Sequence, residues 1–233
     1  MHYQKIKECF NKAYATYDDY AVIQKKIGNK LIELLVNTKQ SPKNIIDLGC
    51  GTGFITNHIA SVFNGFEKFY AIDIANQMLE KAKEKLEENI VIKEHSFDEI
   101  DFFNEEFDLV FANMSLQWSE NLEATIKHIH ENLKSGGILA FSLPLLGTFE
   151  ELRNKLDMLE FNSVLHLLEV SNFQILESSI YHEKLYFPSM FSALQSIKKV
   201  GANFCKDRNK SLIIKYDNFS LTYKIGIFIG RKM

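Results

Sequence analysis

Hydrophobic and polar positions follow two different periods along this chain of 233 residues. Apolar residues at helical spacing predict two amphipathic helices in the first part of the chain, over residues 4–20 and 22–37. Beyond residue 40, short apolar runs typical of buried strands alternate with further helical segments. The runs predict strands at 44–48, 68–73, 90–93, 107–112 and 137–143, and the segments between them predict helices at 54–63, 76–88 and 121–133.

Strands joined by single helices imply right-handed crossovers and a parallel sheet with helices on both faces. The pattern changes after Pro144. The remaining helices are predicted at 148–159, 163–170 and 188–200, and the remaining strands at 175–185 and 219–230. The fold class is therefore α/β, with a seven-stranded, doubly wound sheet. The helix-rich segment after Pro144 is expected to cap the carboxyl edge of the sheet, where open α/β sheets bind ligands.

The composition is that of a globular protein, with 46% hydrophobic and 24% charged residues. A net charge of −3 gives no overall basic field for nucleic acid, and no apolar run approaches the ~20 residues of a membrane span. The polar first twelve residues do not resemble a signal peptide. Cys9, Cys50 and Cys205 are odd in number and lack metal-ligand spacing, so we expect reduced thiols, no metal and a cytoplasmic location. The oligomeric state stays open.

The most informative stretch joins the first predicted strand to the helix that follows it. Residues 47–53 read DLGCGTG and place three glycines at alternate positions. Glycine suits a turn in which the backbone takes positive φ or a ligand approaches closely, and the next helix points free N–H groups over that turn. The spacing differs from the G-x-G-x-x-G of dinucleotide-binding folds, and no Lys-Ser/Thr pair follows as in a P-loop. The turn predicts a nucleotide-like ligand of another kind.

An acidic residue closes the second predicted strand. Asp73 follows the apolar run 69–72 and lies twenty positions after Gly53. A carboxylate at the tip of a neighbouring parallel strand can accept hydrogen bonds from both hydroxyls of a ribose. Together, the glycine turn and Asp73 resemble motif I and its partner acid in the class I S-adenosylmethionine-dependent methyltransferases.

This resemblance implies S-adenosyl-L-methionine as the cofactor and a Rossmann-like, mostly parallel sheet whose last strand is antiparallel. It also implies one domain, composed of N-terminal helices (1–40), a cofactor-binding core (41–144), a substrate cap with an edge strand (145–218) and a final strand (219–233). The implied cofactor contacts are Asp47, Gly49, Gly51 and Gly53 around its amino-acid part, Asp73 on its ribose, and Ile74 and Met78 against its adenine.

The ends of the third and fourth strands would complete this site. In the superfamily an acceptor for the adenine amine and then an apolar residue follow the third strand, positions held here by Ser96 and Phe97. Serine is a weaker acceptor than the usual Asp, and Asp98 is either a substitute or an acid of the turn. After the fourth strand, Asn113 is expected to hold the cofactor backbone, while Trp118 either walls the transfer site or belongs to the core.

Other segments resemble a narrower family, the malonyl-[acyl-carrier protein] O-methyltransferases of biotin synthesis. These segments are 10–18 (FNKAYATYD), 113–118 (NMSLQW), 143–152, 193–203 (ALQSIKKVGAN) and 221–230. Residues 206–217 depart from the family because they are shorter than its usual helical stretch. In that family an aromatic of the helix before the core closes over the cofactor. The resemblance gives this role to Tyr14 and Tyr17, which would equally suit buried packing.

The narrower resemblance implies methylation of the free carboxylate of a malonyl thioester, on acyl carrier protein or on coenzyme A, early in biotin synthesis. A carboxylate is anionic at pH 7, so its methylation needs positioning and exclusion of water rather than a general base. No catalytic residue is therefore expected beyond positioning groups. Arginine or lysine usually holds such a carboxylate, and Lys198, Lys199 and Arg153 are the candidates; each also suits a solvated surface.

Several basic residues lie close together in the later part of this slightly acidic chain. They are Lys198, Lys199, Lys206, Arg208 and Lys210. The cluster is either a docking patch for the acidic carrier protein or a solvated face.

Two other interpretations remain open. Because a fold does not fix its substrate, the enzyme would also be consistent with another small carboxylic acid or metabolite. The third interpretation is a binding module with a methyltransferase fold and no catalysis, which Ser96 favours and the intact glycines, Asp47 and Asp73 oppose. Cofactor binding separates this third interpretation from the first two, and a panel of substrates separates those.

Overall fold

The computed structural model describes residues 2–99, 106–152, 158–202 and 217–233. Helices and strands alternate through the middle of the chain, as the periodicity predicts. In order, the elements are α1 (His2–Ala13), α2 (Tyr17–Tyr20), α3 (Val22–Val36), β1 (Asn44–Leu48), α4 (Phe54–Val62), β2 (Lys68–Asp73), α5 (Asn76–Lys83), β3 (Ile90–Glu94), β4 (Phe107–Asn113), α6 (Leu122–Asn132), β5 (Leu133–Pro144), α7 (Phe161–Val170), β6 (Phe173–Ser189), α8 (Met190–Lys199) and β7 (Asp217–Lys232).

All seven of these strands form one sheet in the order β3-β2-β1-β4-β5-β7-β6. The pairs β1–β2, β1–β4, β2–β3 and β4–β5 are parallel, whereas β7 is antiparallel to both β5 and β6. The expected α/β sheet with an antiparallel last strand is confirmed. The strand order reverses between β1 and β4, which is the place where open α/β sheets bind ligands.

Successive side chains of the central strands bury opposite faces of the sheet, as a period of two requires. Ile45 and Leu109 pack in the cluster that includes residues of α3, α4, α5 and α8. Ile46 and Val110 pack in the other cluster, with residues of α6 and α7. Helices therefore cover both faces, and polar groups at the strand ends are left to the carboxyl edge.

The predicted helix at 4–20 is two helices in the structure. α1 ends at Ala13, and the N–H of Thr16 closes a turn on the carbonyl of Ala13 at 2.9 Å. The Thr16 hydroxyl also donates to the carbonyl of Lys199 in α8, at 2.9 Å. In a continuous helix Tyr14 and Tyr17 would share a face, and this break separates them.

The helix predicted at 148–159 is wrong for the described part of that range. Glu150–Leu152 form a short 3₁₀ turn, residues 158–160 are not helical, and 153–157 lie outside the described residues. The backbone of this segment hydrogen-bonds to β7 instead of forming a helix, since the Phe149 N–H donates to the carbonyl of Thr222 at 2.7 Å. The Glu151 carboxylate accepts from the N–H of Thr222 at 3.0 Å.

Strands β6 and β7 project beyond the rest of the sheet. Pro144, the last residue of β5, pairs with Ile225, while β7 continues back to Asp217, which pairs with Ser189 at the end of β6. α8 then begins directly after β6, at the carboxyl edge. Within the described ranges, no helix has the length and apolar character to cross a membrane.

Candidate active site

The turn after β1 has the backbone that its glycines predict. Gly49, Gly51 and Gly53 have φ angles of +79°, +56° and +77°. A Cβ on Gly49 would lie 2.5 Å from the Cβ of Ser115, and a Cβ on Gly53 would lie 3.2 Å from the Cα of Ala82. These two positions therefore exclude a side chain through both their conformation and their neighbours.

Asp73 ties this turn to the end of β2. Its Oδ2 accepts from the N–H of Gly51 at 2.9 Å, and its Oδ1 accepts from the N–H of Ala75 at 2.8 Å. The backbone N–H of Ile74 is a third donor to this carboxylate. An ionised carboxylate offers about four acceptor positions, so Asp73 retains capacity for a ligand. Burial raises the pKa of Asp73, and the backbone hydrogen bonds offset that rise only in part.

A cavity lies over the turn and opens at the carboxyl edge. Its empty volume, which includes the open space at its mouth, is ≈560 Å³. The structure brings eight of the predicted site residues to its wall: Tyr17, Gly49, Gly51, Asp73, Ile74, Met78, Phe97 and Asn113. The cavity thus has acid and backbone groups at its floor and apolar groups around them.

A second cavity of ≈390 Å³ lies beside the first. Tyr17, Gly49 and Asn113 line both cavities and mark the place where they meet. The second cavity adds Asp47 at the end of β1 and Lys25 from the first turn of α3. The two cavities therefore differ in chemistry, because only the second contains a cation among its described wall residues.

Asp47 is almost fully buried, with 2% of its surface exposed. The Thr56 hydroxyl donates to its Oδ2 at 2.6 Å. Burial raises the pKa of Asp47 to about 7; the bond from Thr56 opposes that rise, and the negative charge of Asp73 adds to it. Near neutral pH this carboxyl group is poised to lose its proton when a cation approaches.

The two tyrosines predicted to close over the cofactor have different positions. Tyr17 separates the two cavities, and its ring lies 3.9 Å from the place where a Cβ on Gly51 would be. Tyr14 lines neither cavity, is 38% exposed, and has the Lys81 ammonium 5.9 Å from its ring centre. The break between α1 and α2 sends only Tyr17 into the site, so the structure does not support a cofactor contact for Tyr14.

A cluster that we call the Asp18 clasp holds α2 over the glycine turn. The clasp consists of Asp18, Thr52 and Lys85. The Asp18 carboxylate accepts from the Thr52 hydroxyl and from the Lys85 ammonium, both at 2.6 Å. Lys85 also donates to the carbonyl of Thr52 at 3.0 Å. Although burial raises the pKa of Asp18, these two donors outweigh it and hold the pKa below its ordinary value.

The expected adenine acceptor is committed to other partners. Ser96 hydrogen-bonds to the hydroxyl of Tyr3 and accepts from the N–H of Asp98, and it does not line the cavity. Asp98 does not line the cavity either, and its carboxylate accepts from the Thr125 hydroxyl at 2.5 Å. Tyr3 and Phe97 line the cavity in this region.

Asn113 lines both cavities, but its side-chain amide hydrogen-bonds to other residues of the protein. The amide nitrogen donates to the carbonyl of Gln24 at 2.9 Å, and the amide oxygen accepts from the Ser142 hydroxyl at 2.9 Å. Asn113 thereby fixes the first turn of α3 to the ends of β4 and β5. Its predicted role on the cofactor is limited to its backbone, and its side chain is a positioning group for Lys25 and its neighbours.

The two described lysines that were predicted to hold the substrate carboxylate, Lys198 and Lys199, line neither cavity. Lys198 is exposed on α8. The Lys199 ammonium donates to the hydroxyl of Tyr20 at 2.7 Å and lies 4.2 Å from the centre of that ring. Arg153, and the later members of the basic cluster at 206–210, lie outside the described residues.

Five wall residues of the first cavity were missing from the predicted site. They are Tyr3, Ile6, Phe10, Met114 and Ser115. Tyr3, Ile6 and Phe10 are three and four positions apart, so the apolar face of α1 was a signal for this wall. The Trp118 ring packs edge-to-face on the Phe10 ring, with 5.7 Å between the ring centres, and it also lines the cavity. Trp118 is therefore both a packing residue and a wall residue. The described residues contain no group of three His, Cys, Asp or Glu side chains that could hold a metal ion.

Comparisons with known proteins agree with this geometry. Residues 39–186 match the model of a family described as a methyltransferase domain. The chain is 39% identical to malonyl-[acyl-carrier protein] O-methyltransferase 2 of Coxiella burnetii, over 99% of this chain and 96% of that protein. It is 32% identical to the malonyl-[acyl-carrier protein] O-methyltransferase of Acetivibrio thermocellus, over 86% and 79%.

The chain belongs to the malonyl-[acyl-carrier protein] O-methyltransferase family. Solved structures show the same fold at low identity. A putative methyltransferase from Bacillus halodurans has a TM-score of 0.67 at 14% identity, with 88% of this chain and 99% of that chain covered. The N-methyltransferase NodS of Bradyrhizobium japonicum, in complex with S-adenosyl-L-homocysteine, has a TM-score of 0.61 at 14% identity, with 89% and 86% covered.

The cavities suit the cofactor of this methyltransferase family. S-adenosylmethionine combines an adenine, a ribose diol and a zwitterionic amino acid. The first cavity offers apolar walls and Asp73 with unused acceptor capacity, while the second places Asp47 and Lys25, of opposite charge, in one wall. The residues present therefore fit the group.

Proposed function

We propose that this chain transfers the methyl group of S-adenosylmethionine to the free carboxylate of malonyl-acyl-carrier protein, giving the methyl ester in an early step of biotin synthesis. The observation that carries this proposal is the 39% identity to the Coxiella burnetii enzyme along 99% of the chain. An alignment of this extent covers β6, β7 and α8 as well as the core that the wider class of methyltransferases shares.

The cofactor contacts follow from the two cavities. Asp73 accepts the ribose hydroxyls, while Ile74, Met78 and Phe97 enclose the adenine. Asp47 and the turn at Gly49 receive the amino-acid end. When bound, the cofactor supplies an electrophilic methyl group on a sulfonium.

The chain contributes positioning and exclusion of water. The malonyl carboxylate is already anionic near pH 7, so no residue has to remove a proton. Tyr17, held by the Asp18 clasp, covers the junction of the cavities, and Asn113 fixes α3 beside it. A water-poor junction strengthens the nucleophile by removing its hydration shell.

We also propose a cytoplasmic carrier protein as the partner, with the basic face of α8 as its docking surface. Lys198 and Lys199 end this helix, and α8 is joined to the cover of the site by the bond from Thr16 to Lys199. Complementary charge between this face and an acidic carrier would steer the encounter. Malonyl-CoA is the alternative acceptor, and nucleic acid and membranes are not partners in this proposal.

A methyl-transfer assay with labelled S-adenosylmethionine tests the proposed function. Malonyl-carrier protein and malonyl-CoA are compared as acceptors, with succinyl- and acetyl-carrier proteins as controls. We expect a base-labile methyl ester on malonyl substrates alone, and faster transfer to the carrier-bound form. Tight cofactor binding without transfer to either malonyl substrate would contradict the proposal and would favour another small acid as the acceptor.

A further inference from the structure

Lys25 has a position that neither the fold nor the predicted site explains. It lies in the first turn of α3, is half-buried, and lines the second cavity. Among the described residues that line the two cavities, it is the only lysine or arginine. A half-buried ammonium on a cavity wall is costly unless a counter-charge reaches it.

The direct contacts of the Lys25 ammonium are with neutral groups, while its charge also acts on the nearby Asp18 carboxylate and helps to lower the pKa of that group. The ammonium donates to the backbone carbonyl of Asp18 at 2.6 Å and lies 4.5 Å from the centre of the Phe54 ring. Across the described ranges, no carboxylate lies within ion-pair distance of it. The nearby Asp18 carboxylate already accepts from Lys85 and Thr52. Because an ammonium has three N–H donors, Lys25 retains donors for a ligand.

We propose that the Lys25 ammonium binds a ligand carboxylate in the second cavity. Two ligands of this site carry that group: the cofactor at its amino-acid end, and the acceptor as its reacting acid. The first source is consistent with Asp47 in the same wall, because the pair of opposite charges matches a zwitterionic amino acid. The second source rests on the proposed function, in which the acceptor is a free carboxylate.

The position of Lys25 is rigid enough for this role. Asn113 holds the carbonyl of Gln24, the preceding residue, at 2.9 Å, and Ser142 holds Asn113 in turn. The ring of Phe54, at the start of α4, lies with its centre 4.5 Å from the Lys25 ammonium and adds a cation–π contact. Lys198 and Lys199 lack such support at the cavities, since Lys198 is exposed and Lys199 is engaged by Tyr20.

The test uses the full-length protein with three substitutions. Lys25→Met removes the charge and keeps the stem, and Lys25→Arg restores a cation. Lys26→Met is the matched control, because Lys26 is the adjacent lysine, lines neither cavity, and pairs with Glu183 at 2.8 Å. Calorimetry measures the affinity for S-adenosylhomocysteine and for 5′-methylthioadenosine, which lacks the amino-acid end. Steady-state kinetics measures KM for the malonyl substrate.

If the cofactor supplies the carboxylate, Lys25→Met weakens S-adenosylhomocysteine binding by about tenfold or more, as expected for a charge-assisted hydrogen bond. Binding of methylthioadenosine stays unchanged. If the acceptor supplies the carboxylate, the affinities for S-adenosylhomocysteine and methylthioadenosine stay unchanged, and KM for the malonyl substrate rises by about tenfold. In either case Lys25→Arg recovers most of the loss, and Lys26→Met shows none.

Three results would overturn the inference. The first is no change beyond twofold in any ligand with Lys25→Met, and the second is an equal loss for both adenosine ligands, which would indicate a disturbed cavity. The third arises if the wild-type protein methylates no malonyl substrate, so that the proposed function itself fails. S-adenosylhomocysteine binding is then the deciding measurement, and an unchanged affinity in Lys25→Met would exclude a ligand carboxylate at Lys25.

Discussion

At the scale of residues, the two acids at the ends of neighbouring strands are held by different means. Asp73 accepts hydrogen bonds from the backbone N–H groups of Gly51 and Ala75, so the turn itself shapes its environment. Asp47 accepts from the Thr56 hydroxyl and is otherwise enclosed. Backbone donors stabilise the carboxylate form, whereas enclosure favours the neutral acid. Burial nevertheless raises the pKa of both acids, because in each its effect exceeds that of the hydrogen-bond donors.

Substitution of Asp73 by alanine is expected to weaken S-adenosylhomocysteine binding by more than ~10-fold, because paired hydrogen bonds to the ribose are lost. Isothermal calorimetry measures the change. Glu67→Ala is the control, since this exposed carboxylate lies before the opposite end of the same strand. Near-wild-type affinity of the Asp73 variant would refute the ribose assignment.

Residue types and spacing were sufficient to predict the glycine turn and the positions of Asp47 and Asp73 at the ends of two neighbouring strands. They were insufficient for Ser96, Tyr14 and the lysines. Whether the Ser96 hydroxyl is free depends on Tyr3, which is 93 positions away in the chain and meets it only after folding. A local sequence pattern does not show which distant residue will hydrogen-bond to a given side chain.

At the scale of elements, the early end of α5 has a functional consequence. The helix was predicted to reach residue 88 but ends at Lys83. The chain then turns, with the N–H of Lys85 on the carbonyl of Ala82 at 3.0 Å. This turn brings Lys85 to Asp18, so that α5 and α2 are joined across the glycine turn. This ion pair and the Thr52 hydroxyl are thus one of the attachments that hold the cover of the cofactor cavity, beside the bonds from Thr16 to Lys199 and from Lys25 to the Asp18 carbonyl.

Loss of the Asp18 clasp is expected to speed the release of S-adenosylhomocysteine by roughly 5- to 30-fold. Asp18→Ala removes a partly exposed ion pair and a hydrogen bond, which together contribute about 1–2 kcal/mol. Stopped-flow displacement of the ligand measures the rate. Asp19→Ala is the matched control, because the neighbouring carboxylate is exposed on the same short helix. Equal release rates in the two variants would show that α2 is held by other contacts.

At the scale of the whole molecule, the enclosed acids make stability depend on pH in an unusual direction. The folded state raises the pKa of Asp47 to about 7, chiefly by burial, and raises that of Asp73 as well. Between pH ~4 and 7 the folded protein therefore binds more protons at Asp47 than the unfolded chain does. The free energy of unfolding contributed by this group falls as pH rises through that window.

Urea denaturation of the cofactor-free protein at pH 5, 6 and 7 is expected to show this loss, at up to ~1.4 kcal/mol per pH unit for one proton. Asp47→Asn should flatten the dependence, since the amide oxygen still accepts from Thr56 and carries no titrating charge. Asp108→Asn is the control: hydrogen bonds from Asn44 and Lys134 outweigh burial and hold the Asp108 pKa below its ordinary value, so it titrates below the window. Parallel slopes for wild type and Asp47→Asn would contradict the assignment.

The sequence by itself determined the sheet, the glycine turn and the acids at two strand ends. These features depend on periods of two and 3.6 residues and on backbone conformations that few residue types adopt, which neighbouring positions encode. Only the tertiary structure decided that Tyr17 rather than Tyr14 reaches the cavity, that Lys85 holds Asp18, and that Lys25 rather than Lys198 faces a ligand. Those outcomes depend on contacts between residues far apart in the chain, such as Thr16 with Lys199. Long-range packing sets them, and no local period carries that information.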